Sequence, residues 1–173
     1  MGNFSILIRG LIQTSYFFFV IFLLYPSINV NQILIGVLII LIYTTRALVA
    51  DIRDVRHNKE AGKQTIPVVF GNKISKTFIA IILLSSVLIQ IVFFNSYLVA
   101  LPLVLFAIAV IFFSNGYILH QLMILTASFF HINFIAFFTN QNLIFFNIIY
   151  LGIFLNFIFY PLLQRRSNPT FVS

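Results

Sequence analysis

Asp51, Asp54 and Glu60 are the only acidic residues in this chain of 173 residues, and they lie within ten residues of one another. Ten of the thirteen charged residues fall between Arg46 and Lys76. If a helix runs through this stretch as far as Gly62, Asp51, Asp54 and Asn58 stand at i, i+3 and i+7 and share one face, with Arg53, Arg56 and Glu60 directed elsewhere. Two carboxylates and an amide on one face are unfavourable unless a cation neutralises them, and a donor set made only of oxygen suits a hard ion such as Mg²⁺. A magnesium ion held there would recruit phosphate, and Lys63, beside Gly62, offers a further point charge for it. The plainer alternative is a solvated loop whose aspartates and arginines pair with one another, each surface pair contributing about 0–1 kcal/mol.

The elements that must position this loop are apolar. Hydrophobic residues make up 61% of the chain and charged residues 8%, with a mean hydropathy of +1.10. That composition excludes an ordinary water-soluble domain and leaves a membrane as the solvent. About 20 apolar residues span the hydrocarbon core, and six stretches qualify: 5–25, 31–50, 75–95, 97–114, 117–138 and 142–163. The expectation is an all-α polytopic transmembrane bundle of about six spanning helices, a single domain over 1–173 with its charged loop at 51–74. Turns fall at Asn95-Ser96 and Asn115-Gly116, and Pro102 is placed to kink the fourth span. After Gly62, Pro67 interrupts any helix, so an extended segment is expected from Thr65 to Gly71.

Charge provides an independent check on the layout. With six crossings, all ten basic residues (Arg9, Arg46, Arg53, Arg56, Lys59, Lys63, Lys73, Lys76, Arg165 and Arg166) fall on or next to one side. The positive-inside rule makes that side cytoplasmic, with both termini and the 51–74 loop inside. The net charge of +7 is then a matter of topology and of the lipid bilayer's anionic headgroups, and it carries no expectation of nucleic acid. The absence of cysteine excludes a disulfide framework, a thiolate metal site and a thiol nucleophile. The first apolar run exceeds a signal-peptide core and no small-residue cleavage site follows it, so it is expected to span. The sixth residue, Ile6, does not suit myristoylation.

Polar residues also occur inside the fifth span: His120, Gln121, His131 and Asn133. Such groups usually face the bundle interior and bond between helices. His120 and His131 are eleven residues apart, about three turns, and cannot share one metal ion.

The string Asp51-Ile52-Arg53-Asp54-Val55-Arg56-His57-Asn58-Lys59-Glu60-Ala61-Gly62-Lys63-Gln64-Thr65-Ile66-Pro67-Val68-Val69-Phe70-Gly71 resembles the second aspartate-rich motif of the UbiA superfamily of membrane prenyltransferases, D-x-x-D-x-x-x-D-x-x-x-G-x-x-T-x-P-V-x-x-G. Asn58 stands where that pattern has its last aspartate. The resemblance implies a helical bundle in which two such motifs face each other across a cavity at the cytoplasmic side and hold Mg²⁺ against an isoprenoid diphosphate, whose prenyl group passes to an acceptor, often an aromatic quinone precursor. It implies that Asp54 and Asn58 occupy metal-ligand positions, with Asp51 the preceding acid, and that Lys63 and Arg53 contact the diphosphate. An amide ligates a hard cation without balancing its charge, so weaker metal binding than from an aspartate is expected.

The family's first motif, N-x-x-x-D-x-x-x-D, does not occur, because no acid lies outside 51–60. The helices that would precede the loop are fewer than in the family, which usually has about nine. Three explanations stand together: the C-terminal part of a prenyltransferase, one half of a split enzyme completed by a separate chain, or an inactive homologue. The alternative class is a non-enzymatic membrane subunit whose basic loop binds anionic lipid. A membrane alcohol phosphotransferase would also cluster aspartates around Mg²⁺, but its D-G-x-x-A-R signature is absent.

Overall fold

The computed structural model describes the backbone of residues 5–24, 27–95 and 97–139, with residues 151, 152 and 155. The described residues form six helices and no strand: α1 (Ser5–Leu24), α2 (Val30–Arg53), α3 (Val55–Glu60), α4 (Ile66–Phe94), α5 (Tyr97–Phe112) and α6 (Gly116–Thr139). The chain divides into two compact units, Met1–Thr126 and Ala127–Ser173, the boundary falling inside α6. The loop and its neighbours belong to the first. There α1 packs on α2, α2 on α4, and α4 on α5, while the short α3 touches α2 and α4.

Two of these helices, α2 and α4, are long and apolar enough to cross a membrane. The stretch expected at 142–163 lies outside the described residues, apart from 151, 152 and 155. Along α4 large apolar side chains are exposed as well as buried. Its buried face runs Ser75, Ile79, Leu83, Ser86, Gln90 and Phe94 at helical spacing, while Phe78, Leu84, Leu88 and Val92 are exposed. Ser75, Ser86 and Gln90 are buried beside Ile79, Leu83, Val87 and Phe94 while large apolar side chains face out, an exterior that suits hydrocarbon better than water. Ser75 and Ser86 satisfy their hydroxyls on the carbonyls of Gly71 and Ile82, four residues back.

The boundaries follow local chemistry. Asn29 caps α2 by accepting from the Gln32 amide, and the Gln32 side chain accepts from the Asn29 amide, each at 2.9 Å, a reciprocal box that satisfies two donors at the helix start. Asn95 ends α4 in the left-handed conformation, at φ 51. Asn115 opens α6, its Oδ1 accepting from Tyr117 N at 2.9 Å and Ile118 N at 3.3 Å. Pro102 lies within α5. Lys76 of α4 donates to the Phe113 carbonyl at 2.6 Å, placing a cation at the C-terminal end of α5.

The expected extended segment from Thr65 to Gly71 is replaced by something shorter. Only Thr65 is extended, at φ −87 and ψ 161, and a helical turn begins at Ile66 with Pro67 in its first positions. A proline there lacks only an N–H that would have had no partner in the helix, so it starts the turn rather than blocking it. The break falls at Gly71, whose φ of 82 and ψ of 164 no other residue type adopts readily, and the long helix runs on from there.

Candidate functional site

The helix carrying the aspartates runs almost unbroken from α2 into α3. Asp54 N bonds to Ala50 O at 3.0 Å and Asn58 N to Asp54 O at 2.8 Å, so the backbone ladder crosses the junction. Asp54 itself departs from helical angles, at φ −98 and ψ 15, and bends the path. The far end closes with Gly62 N on Lys59 O at 3.1 Å and Lys63 N on Asn58 O at 2.8 Å, the paired bonds of a Schellman turn, with Gly62 at φ 66.

The bend sorts the three oxygen-bearing residues. Asp51 and Asn58, two turns apart, are both buried, at 7% and 6% exposure. Asp54, which alone lies within about one turn of each, is turned further outward, with 37% of its side chain exposed. Arg53, expected to point away from this face, instead closes on Asp54: its Nε donates to Oδ1 at 2.7 Å and its Nη2 to Oδ2 at 2.6 Å. Arg56 donates to Glu60 Oε1 at 3.0 Å on the exposed side. Lys63 is exposed.

Arg53 also reaches across to α6. Its Nη1 lies 3.2 Å from Nδ1 and 3.3 Å from Nε2 of His120, and since a guanidinium can only donate, a neutral ring nitrogen must accept. The approach is close because α6 starts with Gly116, where an added Cβ would stand 2.8 Å from Arg53 Cα. Arg53 thus ties Asp54 to the start of α6.

The Arg53 hydrogen bonds hold the Asp54 carboxyl below the usual carboxylate range, against the opposing effect of partial burial. With the folded value below the unfolded one, the pair's contribution is fully present above the ordinary carboxylate value of about 4 and is lost as pH falls through the depressed folded value. The thermal stabilities of the parent and of Arg53→Met, followed in detergent from neutral to acid pH, should therefore converge at the acid end. A gap that stays constant down to pH about 2 would show that the pair is not its source.

Beside this cluster, Gln13 of α1, Tyr43, Arg46, Ala47 and Ala50 of α2, and His120 of α6 line a cavity of about 290 Å³. The Arg46 guanidinium lies 6.0 Å from the centre of the Tyr43 ring. The local sequence signal for Arg46 is a lone charge within a candidate span, whereas nothing in the sequence singles out Gln13 or Tyr43. His131, in the second unit, has its Nδ1 2.6 Å from the Ala127 carbonyl of its own helix. The side chain of Asn133 lies outside the described residues.

Comparisons with family models, with curated proteins and with solved structures give no match. Among the described residues no group of three or more acidic, histidine or cysteine side chains is arranged to hold a metal. The donors that suit a hard cation are Asp51, Asp54 and Asn58, all oxygen. A cation reaching Asp54 must draw it away from Arg53, which occupies both carboxylate oxygens.

Proposed function

We propose that this chain is a multi-pass membrane protein contributing the second aspartate-rich half of a UbiA-type prenyltransferase site, with the 51–74 loop and both termini cytoplasmic. The substrates are an isoprenoid diphosphate and an acceptor, an aromatic quinone precursor or another lipid precursor. A separate chain or segment supplies the N-terminal helices and the carboxylates of the first motif. The observation that carries this reading is the conformational sense of the 51–71 string. Gly62 closes a left-handed turn, Thr65 and Pro67 start a helix, Gly71 breaks it, and Asp51 and Asn58 are both buried.

Mg²⁺ held by Asp54 and Asn58, with Asp51 behind them, would neutralise the diphosphate as a leaving group. The chain's own residues do the rest by position. Arg53, released from Asp54 when that carboxylate turns to a cation, is free to donate both edges of its guanidinium to phosphate oxygens, and His120 steadies it. Lys63 adds a point charge from the exposed side. The apolar helices take the prenyl chain and keep water from the allylic carbon.

The test is magnesium-dependent binding of geranylgeranyl diphosphate to the chain in detergent, alone and assembled with a protein supplying the missing half. Asp54→Ala should lower affinity in the assembly at least tenfold; unchanged binding would remove the proposed site. A second reading, a non-enzymatic subunit whose basic loop binds anionic lipid, is favoured by the Arg53–Asp54 and Arg56–Glu60 pairs, the pairing of an ordinary solvated loop. It predicts binding that falls with salt, needs no magnesium and tolerates Asp54→Asn.

A further inference from the structure

We propose that the cavity between α1, α2 and α6 is a metal-independent binding site for the phosphate group of a membrane-borne ligand, with Arg46 as its principal donor. This goes beyond the prenyl-transfer reading, because it uses neither the aspartates nor magnesium.

Among the described residues, four of the six that line the cavity can donate. Arg46 brings a guanidinium fork, Gln13 an amide, Tyr43 a hydroxyl and His120 a ring nitrogen, and the remaining two residues, Ala47 and Ala50, are small. Among the described residues no carboxylate lines the cavity. Donors arriving from three helices suit an anion with several oxygens around one centre better than a planar carboxylate, which two donors from one side already satisfy. At about 290 Å³ the space is far larger than the roughly 30 Å³ share of a water molecule in the liquid and admits a diphosphate.

Charge points the same way. Neither ion pair among the described residues involves Arg46. The Arg46 guanidinium carbon lies 6.0 Å from the centre of the Tyr43 ring, at the outer limit of a cation–π contact. Arg53, itself paired with Asp54, is in contact with His120 and adds no net charge there, so the attraction for an anion rests on Arg46. Arg46, an exposed residue, precedes Arg53 by seven residues, or about 10 Å of helix, and is the one charged side chain in α2 before Asp51. A cation at that depth needs a counter-charge, and an anionic headgroup entering from the interface supplies one.

The ligand chemistry has two sources, an isoprenoid diphosphate or an anionic phospholipid, and the experiment separates them. Inorganic pyrophosphate is titrated into the full chain in neutral detergent with EDTA present. Binding should be measurable, at least tenfold weaker in Arg46→Gln, about threefold weaker in Gln13→Ala, and partly retained in Arg46→Lys, with helix content by circular dichroism confirming that each variant folds. Should Arg46→Gln fail to fold, Gln13→Ala carries the same test. Displacement of pyrophosphate by geranylgeranyl diphosphate assigns the isoprenoid source, and displacement by phosphatidylglycerol the lipid one. The proposal is overturned if the parent does not bind pyrophosphate in EDTA, if folded Arg46→Gln and Gln13→Ala bind it equally well, if neither amphiphile displaces it, or if benzoate displaces it more readily than phosphate does. Loss of magnesium-dependent binding at Asp54 bears on prenyl transfer and leaves this result untouched.

Discussion

Valine in place of Gly116 should destabilise the chain by about 1–3 kcal/mol, as overpacking a close contact does, and should separate His120 from Arg53. A Cβ at this position would meet Arg53 Cα at 2.8 Å, Arg53 N at 3.1 Å and the Ile52 carbonyl at 3.3 Å. All three are backbone atoms of α2, so no rotamer change relieves the clash and the start of α6 must move. His120, one turn further along, moves with it, and the lining of the cavity changes on one side. Thermal unfolding in detergent reads the first effect, and pyrophosphate affinity measured on the same sample reads the second. A stability change within the roughly 0.5 kcal/mol typical of surface substitutions would show that the two helices do not meet at this glycine.

Aspartate in place of Asn58 should make stability depend on magnesium. Asn58 is 6% exposed, and a carboxylate buried there without a partner costs several kcal/mol or takes up a proton. Asp51, also buried, lies two turns away along the chain and adds a like charge. Without divalent ions, Asn58→Asp should therefore unfold well below the parent. A cation bound by positions 54 and 58 reverses the sign, because a ligand that binds only the folded state stabilises it in proportion to the logarithm of its concentration over Kd. Magnesium at about 10 mM should recover most of the loss in Asn58→Asp and shift the parent much less. If the folded variant gains nothing from magnesium, position 58 does not face a metal and the prenyltransferase reading loses its ligand set.

How far such residues can be located without coordinates depends on what kind of information fixes them. Gly62 was legible because a helix that ends on glycine leaves a mark in one residue type, and the Schellman bonds around it follow from that glycine's freedom at positive φ. Pro67 was legible as an interruption but not as a beginning. The same missing N–H stops a helix in its interior and costs nothing in its first turn, and the choice was made four residues later by Gly71. Arg53 was assigned away from the aspartate face by helical periodicity, which assumes regular angles; the bend at Asp54 rotates the chain there, and adjacent side chains meet that an ideal helix would separate. The cavity was hidden for a different reason. Gln13, Arg46 and His120 come from three helices whose approach is set by tertiary packing, and no spacing along the chain records it. Length and apolarity marked the helices themselves well, since α1, α2, α5 and α6 begin within two residues of the expected stretches. The regular α4 segment resumes directly after Gly71, earlier than the expected start at 75.

The 16 residues of α5 reach only about 24 Å, whereas its neighbour α4, from Asn72 to Phe94, reaches about 34 Å. Side by side in a bilayer with a hydrocarbon core of about 30 Å, one is short and the other long. The bond from Lys76 to the Phe113 carbonyl pins a charged amine at the end of the shorter one, so the mismatch cannot be relieved by sliding α5 along its partner. In the multi-pass reading proposed above, lipid would have to thin around α5 while α4 leans away from the bilayer normal. Under that reading the chain would prefer thin membranes, and sterol-rich or long-chain bilayers should exclude it irrespective of what its polar end binds.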